Sequence, residues 1–242
     1  MDIVFEELDF VVTPLGEISL RKRSEPRLDN QLIYEVKLGE EFLMSSLFVE
    51  AEEQLSKLGL AALKDNGFDS DLDIVVGGLG LGYTALTALQ DQAVDSLRVI
   101  EVMQPVIDWH KKGLLPIGDE LASNQRCELV LDDFFAVATT DTSGFLNDQQ
   151  VHAVLLDIDH SPSHWLNTGN SDFYSESSLT KMTNKLLPKG IFGLWSNEQP
   201  DQEFVELLNR VFCNTQAHVV SFANPYSGGE SINSVYIASK RA

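Results

Sequence analysis

The chain has 242 residues, 43% of them apolar, with 37 acidic against 17 basic side chains and a formal charge of −20. That length bounds it to one large domain, or to one domain with a small appendage. The apolar share is too high for a disordered chain, and the negative charge argues against a nucleic-acid partner or a polybasic membrane contact. Two cysteines, Cys127 and Cys213, make neither a disulfide framework nor a thiolate cluster. No His/Cys/carboxylate set has metal-ligand spacing, so no metal is expected. The start, Met1-Asp2-Ile3-Val4-Phe5-Glu6-Glu7, is acidic where a secretory signal is basic, and no run approaches the roughly 18 apolar residues of a membrane span. A cytoplasmic chain acting on something small, or on another protein, is the expectation.

Short strands come first. Residues 3–12 end at the turn signal Thr13-Pro14-Leu15-Gly16, and 17–22 alternates with Ile18 and Leu20 on one face. Residues 32–37 alternate again, Leu38-Gly39-Glu40 turns, and 42–45 resumes. Residues 1–46 therefore read as a small β-meander. Residues 47–242 read as a second unit. It opens with a helix over 48–63, where Leu47, Ala51, Leu55, Leu58 and Ala62 fall close to one stripe.

Buried strand candidates at 74–76, 97–100, 128–131, 153–156 and 191–195 then alternate with helices at 83–90, 105–112 and 177–186. Short apolar runs with helices between them predict an α/β, parallel, doubly wound sheet. The last strands, 217–222 and 234–238, are separated by Asn224-Pro225-Tyr226-Ser227-Gly228-Gly229 without a helix, so they are expected to be antiparallel. Residues 141–150 are the candidate for a mobile insertion.

The chemistry begins at Gly77-Gly78-Leu79-Gly80-Leu81-Gly82, after a strand and before a helix. Glycines let the backbone approach a ligand while helix N–H groups point into the site. Glu101 follows nineteen residues after Gly82, at the end of the next strand, where an acid can accept from two ribose hydroxyls. Gly80-Leu81-Gly82-Tyr83-Thr84-Ala85 also matches a dinucleotide fingerprint, whereas Gly78-Leu79-Gly80-Leu81-Gly82 matches adenosylmethionine binders. Asp132 and Asp133 after the third strand can accept from an adenine amino group beside Phe134 and Phe135. That feature and the final antiparallel pair favour the adenosylmethionine-type sheet.

On these residues the chain resembles the spermidine synthases within the class I adenosylmethionine-dependent transferases. The resemblance runs through Glu40-Glu41-Phe42-Leu43-Met44-Ser45-Ser46, the 77–82 loop, Val99-Ile100-Glu101, Val106-Ile107-Asp108 with Lys111-Lys112, and Asp132-Asp133-Phe134. It continues through Ala153-Val154-Leu155-Leu156-Asp157 and Leu187-Pro188-Lys189-Gly190. It implies a Rossmann-like, seven-stranded class I domain behind the β-meander. It implies a cofactor-binding set of Gly78, Gly80, Gly82, Glu101, Asp132 and Asp133. The implied reaction is aminopropyl transfer from decarboxylated S-adenosylmethionine to a small cationic amine such as putrescine, and the implied assembly is a homodimer joined through the N-terminal strands.

Asp157 matches the first acid of the family's Asp-Ser-Ser-Asp-Pro type of motif, which holds the diamine and acts as base. Here the stretch is Asp157-Ile158-Asp159-His160-Ser161-Pro162, one residue longer, so Asp159 or His160 is the stand-in for the second acid. Glu198, after the strand ending at Trp195, is a candidate amine contact, and Tyr226 stands loosely where the family has a late substrate-contacting tyrosine. Gly80 occupies the place of the family's loop acid, which meets the amine of the decarboxylated donor, and Met103 replaces a second acid. Methyl transfer from S-adenosylmethionine, a catalytically silent nucleoside-binding protein and a nicotinamide oxidoreductase are the other readings. The final strand pair and Asp133 count against the last.

Overall fold

The computed structural model describes residues 3–142, 144–145 and 149–242. Four antiparallel strands come first: β1 (Phe5–Thr13), β2 (Gly16–Glu25), β3 (Gln31–Leu38) and β4 (Glu41–Ser45), side by side in chain order. Their alternation sorts the faces. Ile18, Leu20 and Val36 are buried and join the core of the larger sheet behind them. Trp109 Nε1 donates to Asp9 Oδ2 at 2.7 Å and ties the two layers together.

The chain then enters α1 (Glu50–Asp65), β5 (Leu72–Gly77), α2 (Tyr83–Gln90), β6 (Val94–Glu101), α3 (Gln104–Lys111), α4 (Gly118–Ala122) and β7 (Cys127–Leu131). It continues through α5 (Phe134–Ala138), β8 (Val151–Leu156), α6 (Glu176–Thr183), β9 (Leu186–Ser196), α7 (Gln202–Val211), β10 (Cys213–Asn224) and β11 (Gly229–Ser239). The seven strands lie in the order β10-β11-β9-β8-β5-β6-β7. β5 to β9 are parallel; β11 runs antiparallel to β9 and β10 antiparallel to β11, as the helix-free final connection predicts.

The central strands are apolar on both faces because helices cover both. Ile74 and Val76 pack into one core with Ala51, Leu55 and Ala85, while Val75 packs into the other with Phe134 and Leu179. β5 has β6 on one side and β8 on the other, so successive connections leave it in opposite directions. The crevice at the carboxyl ends of β5, β6 and β8 is where such sheets bind ligands.

One local expectation is corrected, and one helix is added. The helix expected over 177–186 ends at Thr183, because Leu186 already pairs with Val151 as part of β9. α7 was not anticipated; Asp201 caps it by accepting from Glu203 N and Phe204 N, and Phe204 and Leu208 bury one face. The insertion expected over 141–150 lies partly outside the described residues; of its neighbours, the buried Lys185 donates to the Thr140 hydroxyl and to the Thr142 and Gly144 carbonyls. Among the described residues no helix is long and apolar enough to cross a membrane.

Candidate active site

The glycine loop joins β5 to α2 and has φ of +93° at Gly78, +49° at Gly80 and +93° at Gly82. These left-handed values favour glycine. A side chain at Gly78 would run into the carbonyl of Asp157, and one at Gly82 into Leu121 and His110. The loop is thereby pressed between the end of β8 and helix α3. His110 is fully buried on α3 and donates from Nε2 to Gly80 O at 2.9 Å. Burial lowers its pKa and so favours the neutral ring, while the hydrogen bond to Gly80 O opposes that shift. The signal was in the sequence: Val106, Ile107 and His110 share one helical face.

Glu101 ends β6 behind the loop and is 6% exposed. Its Oε2 accepts from Leu79 N at 3.0 Å and its Oε1 from Met103 N at 2.8 Å. Burial pushes its pKa up, while those backbone donors oppose the rise. After β7, Asp133 accepts from Phe135 N and Ala136 N and so caps α5. Asp132 accepts only from Asp133 N and stays exposed.

Asp157 follows β8, and Thr84 Oγ1 donates to its Oδ2 at 2.6 Å. Burial pushes its carboxyl up to about 6 against that hydrogen bond. Glu52, on the first turn of α1, stands beside it. Burial, then the charge of Asp157, raise the Glu52 carboxyl well above the usual carboxylate range. Among the described residues no Lys, Arg or His pairs with either acid.

Two cavities meet at this point. The smaller, about 170 Å³, is bounded by Gly78, Glu101, Asp133, Phe134, Phe135 and Asn170. The larger, about 630 Å³, is bounded by Glu52, Tyr83, His160, Trp195, Phe222 and Tyr226. Leu43, Met44, Gly80, Asp157 and Ile158 border both. The rim of the larger cavity is charge-balanced. Arg23 donates to Glu35 at 2.9 Å, to Glu25 at 2.7 Å and to the Tyr226 hydroxyl at 2.7 Å, while Arg21 reaches Glu35 at 3.2 Å.

No family model matches the chain, and no curated protein sequence matches it. Solved structures do. A crystal structure of spermidine synthase in complex with the transition-state analogue AdoDATO superposes with a TM-score of 0.73 at 16% identity, covering 97% of this chain and 73% of that one. Spermidine synthase from Thermotoga maritima gives 0.69 at 16% identity, over 97% and 72%. A probable spermidine synthase from Corynebacterium glutamicum gives 0.62 at 14% identity, over 98% and 80%. The chain has the spermidine-synthase fold. The likeness takes in the N-terminal strands as well as the class I seven-stranded sheet, as the sequence motifs imply.

Within this spermidine-synthase fold the expected site residues separate into two groups. Gly78, Gly80, Glu101, Asp133 and Asp157 border the smaller cavity, and Gly82, His160 and Tyr226 join Gly80 and Asp157 around the larger. His160 Nε2 lies 2.9 Å from Glu41 Oε1, and Tyr226 packs edge-on against Phe48.

Three others are not brought there. Asp159 is 2% exposed and turned inward. Its oxygens accept from Leu166 N at 2.8 Å, Asn170 Nδ2 at 2.9 Å and the Tyr174 hydroxyl at 2.8 Å, so its carboxylate is consumed in holding the following loop. Glu198 is exposed outside both cavities; its amide is bound to the Ser196 hydroxyl, and the neighbouring Asn197 borders the larger cavity instead. Asp132 points to solvent. Trp195 packs against the core and also borders the larger cavity, and Glu52 carries no sequence signal of its own because an acid in the first turn of a helix ordinarily serves only the helix dipole.

Proposed function

We propose that the chain is a transferase that moves the aminopropyl group of decarboxylated S-adenosylmethionine to a small amine such as putrescine. One observation carries the reading: Asp157 stands where the two cavities meet, at the carboxyl edge of the sheet, with no cationic side chain paired to it among the described residues. The residues of the smaller cavity suit a nucleoside. Glu101 offers its carboxylate to ribose hydroxyls, Asp133 to an adenine amino group, and the α2 end of the glycine loop its backbone N–H groups. The reacting carbon then lies beside Asp157.

Asp157 orients the attacking amine and receives its proton, while His160 and Tyr226 shape the pocket for the acceptor. A carbon–nitrogen bond forms at the methylene next to sulfur, the carbon–sulfur bond breaks, and its electron pair stays on sulfur as the neutral thioether of 5′-methylthioadenosine. The raised pKa of Asp157 suits this role, since a base works best near the operating pH.

A second reading, methyl transfer from S-adenosylmethionine, is favoured by one feature. Gly80 brings no acid to the loop, and the Met44 thioether occupies the space where a side chain there would stand. Product mass after incubation with putrescine and each donor in turn separates them. Spermidine with methylthioadenosine from the decarboxylated donor supports the first reading; a methylated amine supports the second. If neither product forms across a panel of amines although nucleoside binds, the protein is a silent binder and the transferase reading falls.

A further inference from the structure

We propose that Glu52 is the counter-ion of the donor's ammonium group, and that it selects the decarboxylated sulfonium nucleoside over ordinary S-adenosylmethionine. This rests on the aminopropyl-transfer reading. With the nucleoside in the smaller cavity, the sulfonium sits at the residues that border both cavities: Gly80, Met44 and Asp157. The transferred chain extends three carbons further, into the larger cavity, and ends in a positive charge.

Three carboxylates border that cavity: Glu35, Glu52 and Asp157. Glu35 is neutralised by Arg21 at 3.2 Å and Arg23 at 2.8 Å. Asp157 borders both cavities, next to the reacting carbon, where the acceptor nitrogen must lie. Glu52 borders only the larger cavity and has no ion-pair partner among the described residues. It is the acid left for the end of the chain. The loop itself offers no alternative, because Gly80 has no side chain and the Met44 sulfur closes the space beside it.

The same geometry works against the ordinary donor. That molecule carries a carboxylate on the carbon bearing its ammonium, and the carboxylate would enter beside Glu52 and Asp157. Both acids are already raised, by burial and, at Glu52, by the charge of Asp157; a further anion there adds to that crowding of negative charge, whereas an ammonium group relieves it. Arg23, the cation on the cavity wall, is already engaged by Glu25, Glu35 and Tyr226.

The test is titration calorimetry with three probes: 5′-methylthioadenosine, which lacks the chain, the decarboxylated donor, and S-adenosylmethionine. Wild-type protein should prefer the decarboxylated donor to the ordinary one by at least about tenfold. Glu52→Gln should weaken the decarboxylated donor by about 10- to 100-fold, the range for a hydrogen bond to a charged group, and leave methylthioadenosine within about twofold. Glu52→Asp, which keeps the charge, should retain the preference in reduced form. Glu53→Gln, whose carboxylate pairs with Lys57 at 2.6 Å on the helix surface, should change none of the three.

Retained methylthioadenosine binding certifies the fold of each variant. If both Glu52 variants keep the full wild-type preference, or if Glu52→Gln weakens only the amine acceptor, the assignment of Glu52 is overturned while aminopropyl transfer stands. A wild type that prefers ordinary S-adenosylmethionine overturns both.

Discussion

The Thr84 hydroxyl donates to the Asp157 carboxylate at 2.6 Å, joining the first turn of α2 to the end of β8 behind the glycine loop. A hydrogen bond to the ionised form favours that form, and here it opposes the effect of burial. Thr84→Val removes the donor and keeps the volume. The Asp157 carboxyl should then titrate higher, and the acid limb of the kcat profile should move to higher pH than in the wild type. A pH–rate profile checks this; an unmoved limb means that Asp157 is not the group that titrates.

The proton balance of the two acids has a sign for stability. Asp157 is raised from the ordinary carboxylate value to about 6 in the folded chain, and Glu52 is raised as well. Between the unfolded value near 4 and the folded value, the folded state binds more protons, so stability falls as pH rises through this window. Asp157→Asn should therefore raise the melting temperature of the ligand-free protein above pH 6 and change it little near pH 4. A carboxyl moved from about 4 to about 6 corresponds to at most about 3 kcal/mol. Thermal unfolding across pH 4–8 measures it. The same variant should lose about a hundredfold to ten-thousandfold in transfer rate.

Glu101→Gln tests the nucleoside site. The carboxylate accepts from two backbone donors, Leu79 N and Met103 N, through different oxygens. A glutamine has one acceptor oxygen, so its amide group must face one of those donors. We expect a loss of about 1–3 kcal/mol in stability from the unsatisfied group, and about 1.5–3 kcal/mol in methylthioadenosine affinity from the lost charge. Unfolding and titration on the same sample separate the two effects. Unchanged affinity in the folded variant would make Glu101 a loop-capping residue only.

Asp159 and Asp157 should part in kinetics. Asp159 holds Leu166 N and Asn170 Nδ2, and both residues border the smaller cavity. Asp159→Asn should raise KM for the nucleoside and leave the kcat profile in place, because the variant loosens a wall of the cavity without touching the reacting atoms. Asp157→Asn should do the reverse. Steady-state kinetics at saturating and limiting donor distinguish them, and a kcat loss for Asp159→Asn as large as that of Asp157→Asn would return Asp159 to the chemistry.

By itself the sequence determined the order of the strands and of the helices α1, α2, α3 and α6, the class of the sheet and the residues at its carboxyl edge, but not the short α4 and α5 or the helix α7. These are local properties. An apolar strand flanked by polar residues marks its own end, so Glu101, Asp133 and Asp157 were legible as acids delivered to that edge, and the glycines after β5 marked the loop between them. Only the tertiary structure decided what each polar group meets there. Asp159 follows Asp157 by two residues, yet it turns inward because Leu166, Asn170 and Tyr174 supply it with donors from the loop beyond. His110 is buried because the Gly80 carbonyl offers it an acceptor across the loop. Glu52 and Asp157 lie far apart in the chain, and they become a pair because packing α1 against β8 and the start of α2 carries both to one cavity wall. Periodicity reports which side of an element is buried. Which charge is left without a partner depends on groups that arrive from elsewhere in the chain.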